Sequence, residues 1–166
     1  MDRDKERAIE WDVQKVLFQY YHHVDLYEYK EAILLFTPDA DWMSLGVHLK
    51  GQKEILDGLY GGLGAGTIRH ILTNTVITVI DENHAAARSY NTLYSSHDLR
   101  IDKQKGPIHF EGPNLVLDMM DELERTKEGW RIAKRRGTTI FKRNPEKPAP
   151  LQGWAKNKGR PLASET

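Results

Sequence analysis

The sequence predicts an α+β fold, with a group of N-terminal helices followed by one long antiparallel sheet. Three observations carry that expectation. Apolar residues near the N-terminus recur at three- and four-residue steps, the spacing of a single helix face. From residue 69 onward the chain turns to alternating, β-branched runs separated by short polar turns. The helical patterns come first and the strand patterns after them, which is the α+β order. The chain has 166 residues, a length that suits one domain.

The first helix covers residues 11–27, WDVQKVLFQYYHHVDLY, and Ile9, Val13, Val16, Leu17, Tyr20, Tyr21 and Val24 make its apolar face. A second, short helix fits residues 29–36, with Ala32, Ile33 and Phe36 on one side. It stops at Thr37, because a proline, here Pro38, disfavours helical geometry in the residue before it. Residues 40–46 read as a strand ending in a turn at Gly46. A third helix begins at Gly51, and Gly58, Gly61, Gly62, Gly64 and Gly66 end it in a loop. Four longer strands follow, over residues 69–80, 85–97, 108–125 (bent at Gly112 and Pro113) and 130–143. Turns at residues 81–84 and 126–129 and a polar loop at 98–107 separate them. Residues 1–143 thus make the domain. Residues 144–166, with four prolines and three lysines, form a tail that packs into no element alone, although Leu151 and Trp154 could clip onto a neighbouring surface.

Composition narrows the chemistry. Lys plus Arg and Asp plus Glu both number 24, so the net charge is zero and no basic footprint for nucleic acid exists. There is no cysteine, which excludes disulfides, thiolate zinc sites and cysteine nucleophiles. The N-terminal residues are charged rather than apolar, and no run approaches the roughly 18 apolar residues of a membrane span. A cytoplasmic protein with no membrane partner is expected.

Two residues stand out as candidate chemistry. Asp25 lies near the C-terminal end of the first helix, where the helix dipole disfavours a carboxylate by a few tenths of a kcal/mol. His70 opens the β-rich run RHILTNTVITVI, on a face shared by alternation with Leu72, Asn74 and Val76. If the helix packs into a curved sheet the two meet, and a carboxylate holding an imidazole is a general base that needs no metal or cofactor. Taken by itself, His70 is as well explained as a structural histidine at a strand end. His22 and His23 point about 100° apart on a helix, and no paired histidine spacing or phosphate-binding glycine loop appears. No metal and no cofactor is expected. Tyr20, Trp42, Tyr90, Tyr94, Met119 and Met120 are either core or the walls of an apolar pocket, with His109 and Asn114 added as lining residues. Arg88 and Arg136 either face solvent or pair with Asp118, Asp121 or an anionic substrate. The Lys134–Arg136 run is expected to be a solvated face plus one inward residue.

The ordered segments YYHHVD, FTPDADWMSLG, KGQKEI, RHILTNTVI and GWRIAKRRGTTIF resemble the SnoaL-like branch of the nuclear-transport-factor-2-like superfamily over about residues 8–143. The resemblance implies a cone-shaped fold, a strongly curved antiparallel sheet wrapped around the helices. It also implies elimination chemistry of the dehydratase or dehydrochlorinase type, in which a helix aspartate orients a strand histidine. Asp25 and His70 match those positions, and Tyr20 matches a polar residue five before the aspartate. Trp42 resembles a pocket tryptophan, and His109 aligns loosely with a second histidine. The expected function is a cofactor-independent lyase acting on a small hydrophobic substrate, aromatic or polycyclic, as in aromatic compound catabolism. Alternatives are an isomerase or cyclase with the same pocket, or a non-catalytic small subunit of a ring-hydroxylating dioxygenase. By the same analogy the protein is a homotrimer, with a dimer second. Ile77, Val79 and Phe141 are candidates for its subunit interface.

Overall fold

The N-terminal charges that carry no apolar pattern nonetheless start a helix. In the computed structural model, which describes residues 1–61, 67–96, 107–108, 112–143 and the backbone of 160–161, helix α1 spans Arg3–Asp25. It begins eight residues before its expected start at Trp11. Asp2 caps it by accepting hydrogen bonds from the backbone N–H groups of Asp4 and Lys5 at 3.0 and 2.9 Å, and Asp4 and Glu6 place negative charge in the first turn. Its buried residues are the seven with helical spacing. Helix α2 (Tyr29–Ile33) is shorter than expected. Phe36, expected on that helix, instead opens strand β1 (Phe36–Ser44). Pro38 is tolerated there because the pairing of β1 with the last long strand shifts between Phe36 and Asp41.

Leu45 and Gly46, with φ of 53° and 79°, make a two-residue hairpin turn. The turn adds a strand with no sequence expectation, β2 (Val47–Lys50), paired antiparallel to β1. Helix α3 runs Gly51–Gly61 and buries Gly58 inside it rather than in a following loop. The glycines at 62, 64 and 66 lie outside the described residues. Then come β3 (Thr67–Val79), β4 (His84–Ser96), β5 (Leu115–Thr126), β6 (Gly129–Lys142) and a two-residue β7 (Arg160–Pro161). The strand order is β3-β4-β5-β6-β1-β2-β7. The sheet is antiparallel except for β1 beside β6. It is curved and unclosed, and wraps the N-terminal helices. No helix among the described residues is long and apolar enough to cross a membrane.

One irregularity decides what faces the interior. The β3–β4 register shifts between Thr73 and Val76, and Asn74 adopts a φ of 51°. The extra residue reverses the in–out alternation along β3. His70 and Leu72 are therefore half-buried against α1, whereas Val76 is 65% exposed. Beyond the shift Ile77 and Val79 pack against the core instead of facing outward as expected, while Phe141 is exposed. Among the four residues expected to share one face, only His70 and Leu72 do so.

Candidate active site

The end of helix α1 meets the start of strand β3, and the junction is tied by side chains from both. Arg69 Nη1 donates to the carbonyl of Asp25 at 3.0 Å, supplying one of the partners that the last turn of a helix lacks. The Asp25 carboxylate then accepts twice from the next residue. Its Oδ2 takes the backbone N–H of His70 at 2.9 Å, and its Oδ1 lies 2.6 Å from His70 Nδ1. The two side chains are only 13% and 14% exposed. These two hydrogen bonds to one carboxylate offset its unfavourable position at a helix C-terminus. They also select a tautomer. With Nδ1–H donating to the carboxylate, Nε2 is left with its lone pair, and it makes no hydrogen bond among the described residues.

Phe18, Tyr21, His22 and Asp25 of α1 and His70 and Leu72 of β3 line an open cleft of about 240 Å³ around this pair. The Tyr21 ring lies against the imidazole, with centroids 4.9 Å apart and planes tilted by 35°. Next to the cleft, inside the fold, lies a buried ion pair. Arg135 Nε and Nη2 donate to Asp121 Oδ1 and Oδ2 at 2.6 and 3.1 Å, with the two side chains 1% and 2% exposed. The guanidinium lies 4.3 Å from the Tyr20 ring centroid and 5.1 Å from that of Tyr21. Burial works against its charge, but the Asp121 carboxylate beside it more than compensates and holds it firmly protonated. Burial likewise raises the pKa of both Tyr20 and Tyr21, against the pull of Arg135.

The expected site residues thus divide. Asp25 and His70 come together. Tyr20, expected to act beside them, is in the core under Arg135 and does not line the cleft. Its neighbour Tyr21 does, although nothing in the sequence reading singled it out. Trp42 and Met119 are buried on the inward face, Trp42 paired with Arg135 along β1 and β6. Asn114 is buried with its Oδ1 spent on the backbone N–H of Ser95 at 2.6 Å, which makes it a clamp between strands.

Two expectations fail on parity. Tyr90 lies on the outer face of β4, 44% exposed. Arg136 is bound to Asp41, through Nη2 to the carboxylate at 3.0 Å and through Nη1 to the carbonyl at 2.9 Å. The inward member of the Lys134–Arg136 run is Arg135. Arg88 pairs with Asp118 on the outer face, at 2.6 and 3.0 Å. His109 lies outside the described residues. His23 bonds Glu28 at 2.7 Å, away from the cleft that His22 borders, and no group of three potential metal ligands occurs among the described residues.

Residues 5–136 match the family described as SnoaL-like domain. No curated protein matches the sequence. Among solved structures, a single-substitution variant of Rv3472, a protein of unknown function from Mycobacterium tuberculosis, superposes with a TM-score of 0.76 at 18% identity, covering 99% of each chain. A protein provisionally assigned as a scytalone dehydratase, from Novosphingobium aromaticivorans, gives 0.74 at 18% identity over 89% of this chain and 95% of its own. The hexachlorocyclohexane dehydrochlorinase LinA-type3 from Novosphingobium barchaimii gives 0.69 at 14% identity over 86% and 93%. At these identities the likeness is one of fold.

Proposed function

The chain belongs to the SnoaL-like domain family, and we propose that it is a cofactor-independent lyase using His70 as general base. The observation that carries the reading is the 2.6 Å contact of His70 Nδ1 with Asp25, which leaves Nε2 unengaged at a cleft. In the proposed reaction Nε2 takes a proton from a substrate carbon. The electron pair of that C–H bond forms a double bond, and a neighbouring group leaves with its own bonding pair. Asp25 stabilises the imidazolium that results. The dehydratase and dehydrochlorinase among the proteins of the same fold are in keeping with an elimination. The apolar walls Phe18 and Leu72 and the Tyr21 ring suit a small hydrophobic substrate. A screen of aromatic and polycyclic alcohols, read by mass spectrometry of the products, tests this. Loss of water supports a lyase, and a product of unchanged mass shifts the reading to an isomerase or cyclase.

Proton chemistry by a histidine and a carboxylate needs no metal. Activity on any substrate found in that screen is therefore expected to persist after exhaustive chelation and dialysis. Loss of activity restored by one added metal would overturn this mechanism.

We further propose that the outer face of the sheet joins copies of the chain in a homotrimer. Val76, Tyr90 and Met120 are exposed around a groove of about 700 Å³ on that face, and Phe141 is exposed on β6. Burying such residues is a favourable use of apolar surface. Light scattering at micromolar concentration should report three chains per particle. A monomer would remove the proposal.

A further inference from the structure

The residues of α1 that line the cleft follow one another around the helix in a fixed order. Phe18, Tyr21, His22 and Asp25 stand at i, i+3, i+4 and i+7, which is one helical face. At 3.6 residues per turn, Tyr21 and His22 flank Asp25 on opposite sides, about 40° and 60° away. The Tyr21 side is buried and the His22 side is exposed. His22 therefore stands at the rim of the cleft, three residues from Asp25, a spacing that puts Cβ atoms about 5–6 Å apart. The two histidines of this last turn differ. His23 is held through Nδ1 by Glu28 at 2.7 Å. The His22 ring is T-shaped against that of His23, with centroids 5.8 Å apart, and no hydrogen bond or ion pair to a described residue engages its nitrogens.

The other titratable side chains that line the cleft are committed. Asp25 accepts through both carboxylate oxygens, and His70 donates from Nδ1. Burial raises the pKa of Tyr21, so its phenol keeps its proton. An elimination that starts with His70 taking a proton from carbon puts charge on the departing oxygen, and the dyad holds no acid for it. We infer that His22 is that acid, and that it protonates the leaving oxygen at the mouth of the cleft. The inference rests on the reading of His70 as general base. His70 Nε2 takes the proton, the C–H pair becomes the double bond, and the C–O pair goes to oxygen. That oxygen takes a proton from the His22 imidazolium and departs as water or an alcohol. His70 is then protonated and His22 neutral, and both border an open cleft, where solvent removes one proton and supplies the other. Histidine changes charge near neutral pH, which suits both roles. The substrates so favoured carry a poor oxygen leaving group beside an acidic C–H bond.

A test that needs no natural substrate uses 1,2-benzisoxazole and its 5-nitro derivative. A base removes the ring C–H proton, the C–H pair completes a nitrile, and the N–O bond breaks with its pair on a phenolic oxygen. The product absorbs, so its formation is followed directly. The nitro group makes that oxygen a weaker base, which departs with little need of a proton. The wild-type protein should open both rings faster than free imidazole does, and His70→Ala should open neither above that level. His22→Gln should slow the unsubstituted ring about 10²-fold, the low end of the range for a positioned acid, and the nitro ring much less. Its melting curve should match the wild type, because the ring it removes is exposed. His23→Gln should leave both rates unchanged. A ratio of the two rates that stays the same in His22→Gln, while His70→Ala is inactive, means that His22 is not the acid and that the base reading survives. A wild-type protein no faster than free imidazole removes the inference, and turnover of a screened alcohol by His70→Ala then judges the base separately.

Discussion

Replacement of His70 by alanine is expected to lower turnover about 10²- to 10⁴-fold, the range for loss of a positioned general base. The variant should stay folded. Asp25 Oδ2 would keep its 2.9 Å hydrogen bond from the residue-70 backbone N–H, which does not depend on the side chain. The carboxylate would lose its imidazole partner but lies at an open cleft, where water can replace it. A melting curve near that of the wild type together with collapsed kcat is the expected pair of results. Asp25→Asn should lower kcat as well, because an amide supplies no charge to stabilise the imidazolium. A folded His70→Ala variant with an unchanged rate would make His70 structural and end the general-base reading.

The largest expected loss of stability is elsewhere. Asp121→Ala should cost about 3–5 kcal/mol, measured by denaturant unfolding, because it strands the charge of Arg135 in the interior. Both side chains are almost fully buried, and two of the guanidinium nitrogens bond to Asp121. Removing the carboxylate leaves those N–H groups with no acceptor and no water. The pair Asp121→Leu with Arg135→Met should cost far less than Asp121→Ala alone, since replacing a buried ion pair with apolar groups of similar volume is often close to neutral. A single Asp121→Ala variant within about 1 kcal/mol of wild type, below that expected range, would mean that the interior reorganises or hydrates around Arg135. If the double variant keeps its fold but loses activity, the ion pair serves the cleft rather than the core.

The helix face of α1 was legible residue by residue, because burial repeats with the local period and needs no knowledge of the partner surface. Asp25 and His70 were nameable as candidates for a different reason. A carboxylate at a helix C-terminus is unfavourable enough to ask for a partner, His70 opens the first long strand pattern, and the resemblance matched both positions. The signal for Tyr21 was present but unread, since it stands four residues before Asp25 and so shares its face. No local signal existed for β2, whose four residues become a strand only through a two-residue turn and the edge of β1.

What the sequence by itself determined is the order of helices and strands, the apolar face of α1, and the chemical types available, with no thiol and no charge excess. Only the tertiary structure decided which way the strand residues point. The extra residue near Asn74 reverses β3 and sends Ile77 inward and Val76 outward. A second irregularity, between Glu122 and Leu123 in the pairing of β5 with β6, sets the phase of the Lys134–Arg136 run. It turns Arg135 to the buried Asp121 and leaves Arg136 to Asp41. The physical reason is that alternation along a strand is local, whereas a bulge is stabilised by the neighbouring strand across the ladder. One inserted residue exchanges the faces of everything beyond it.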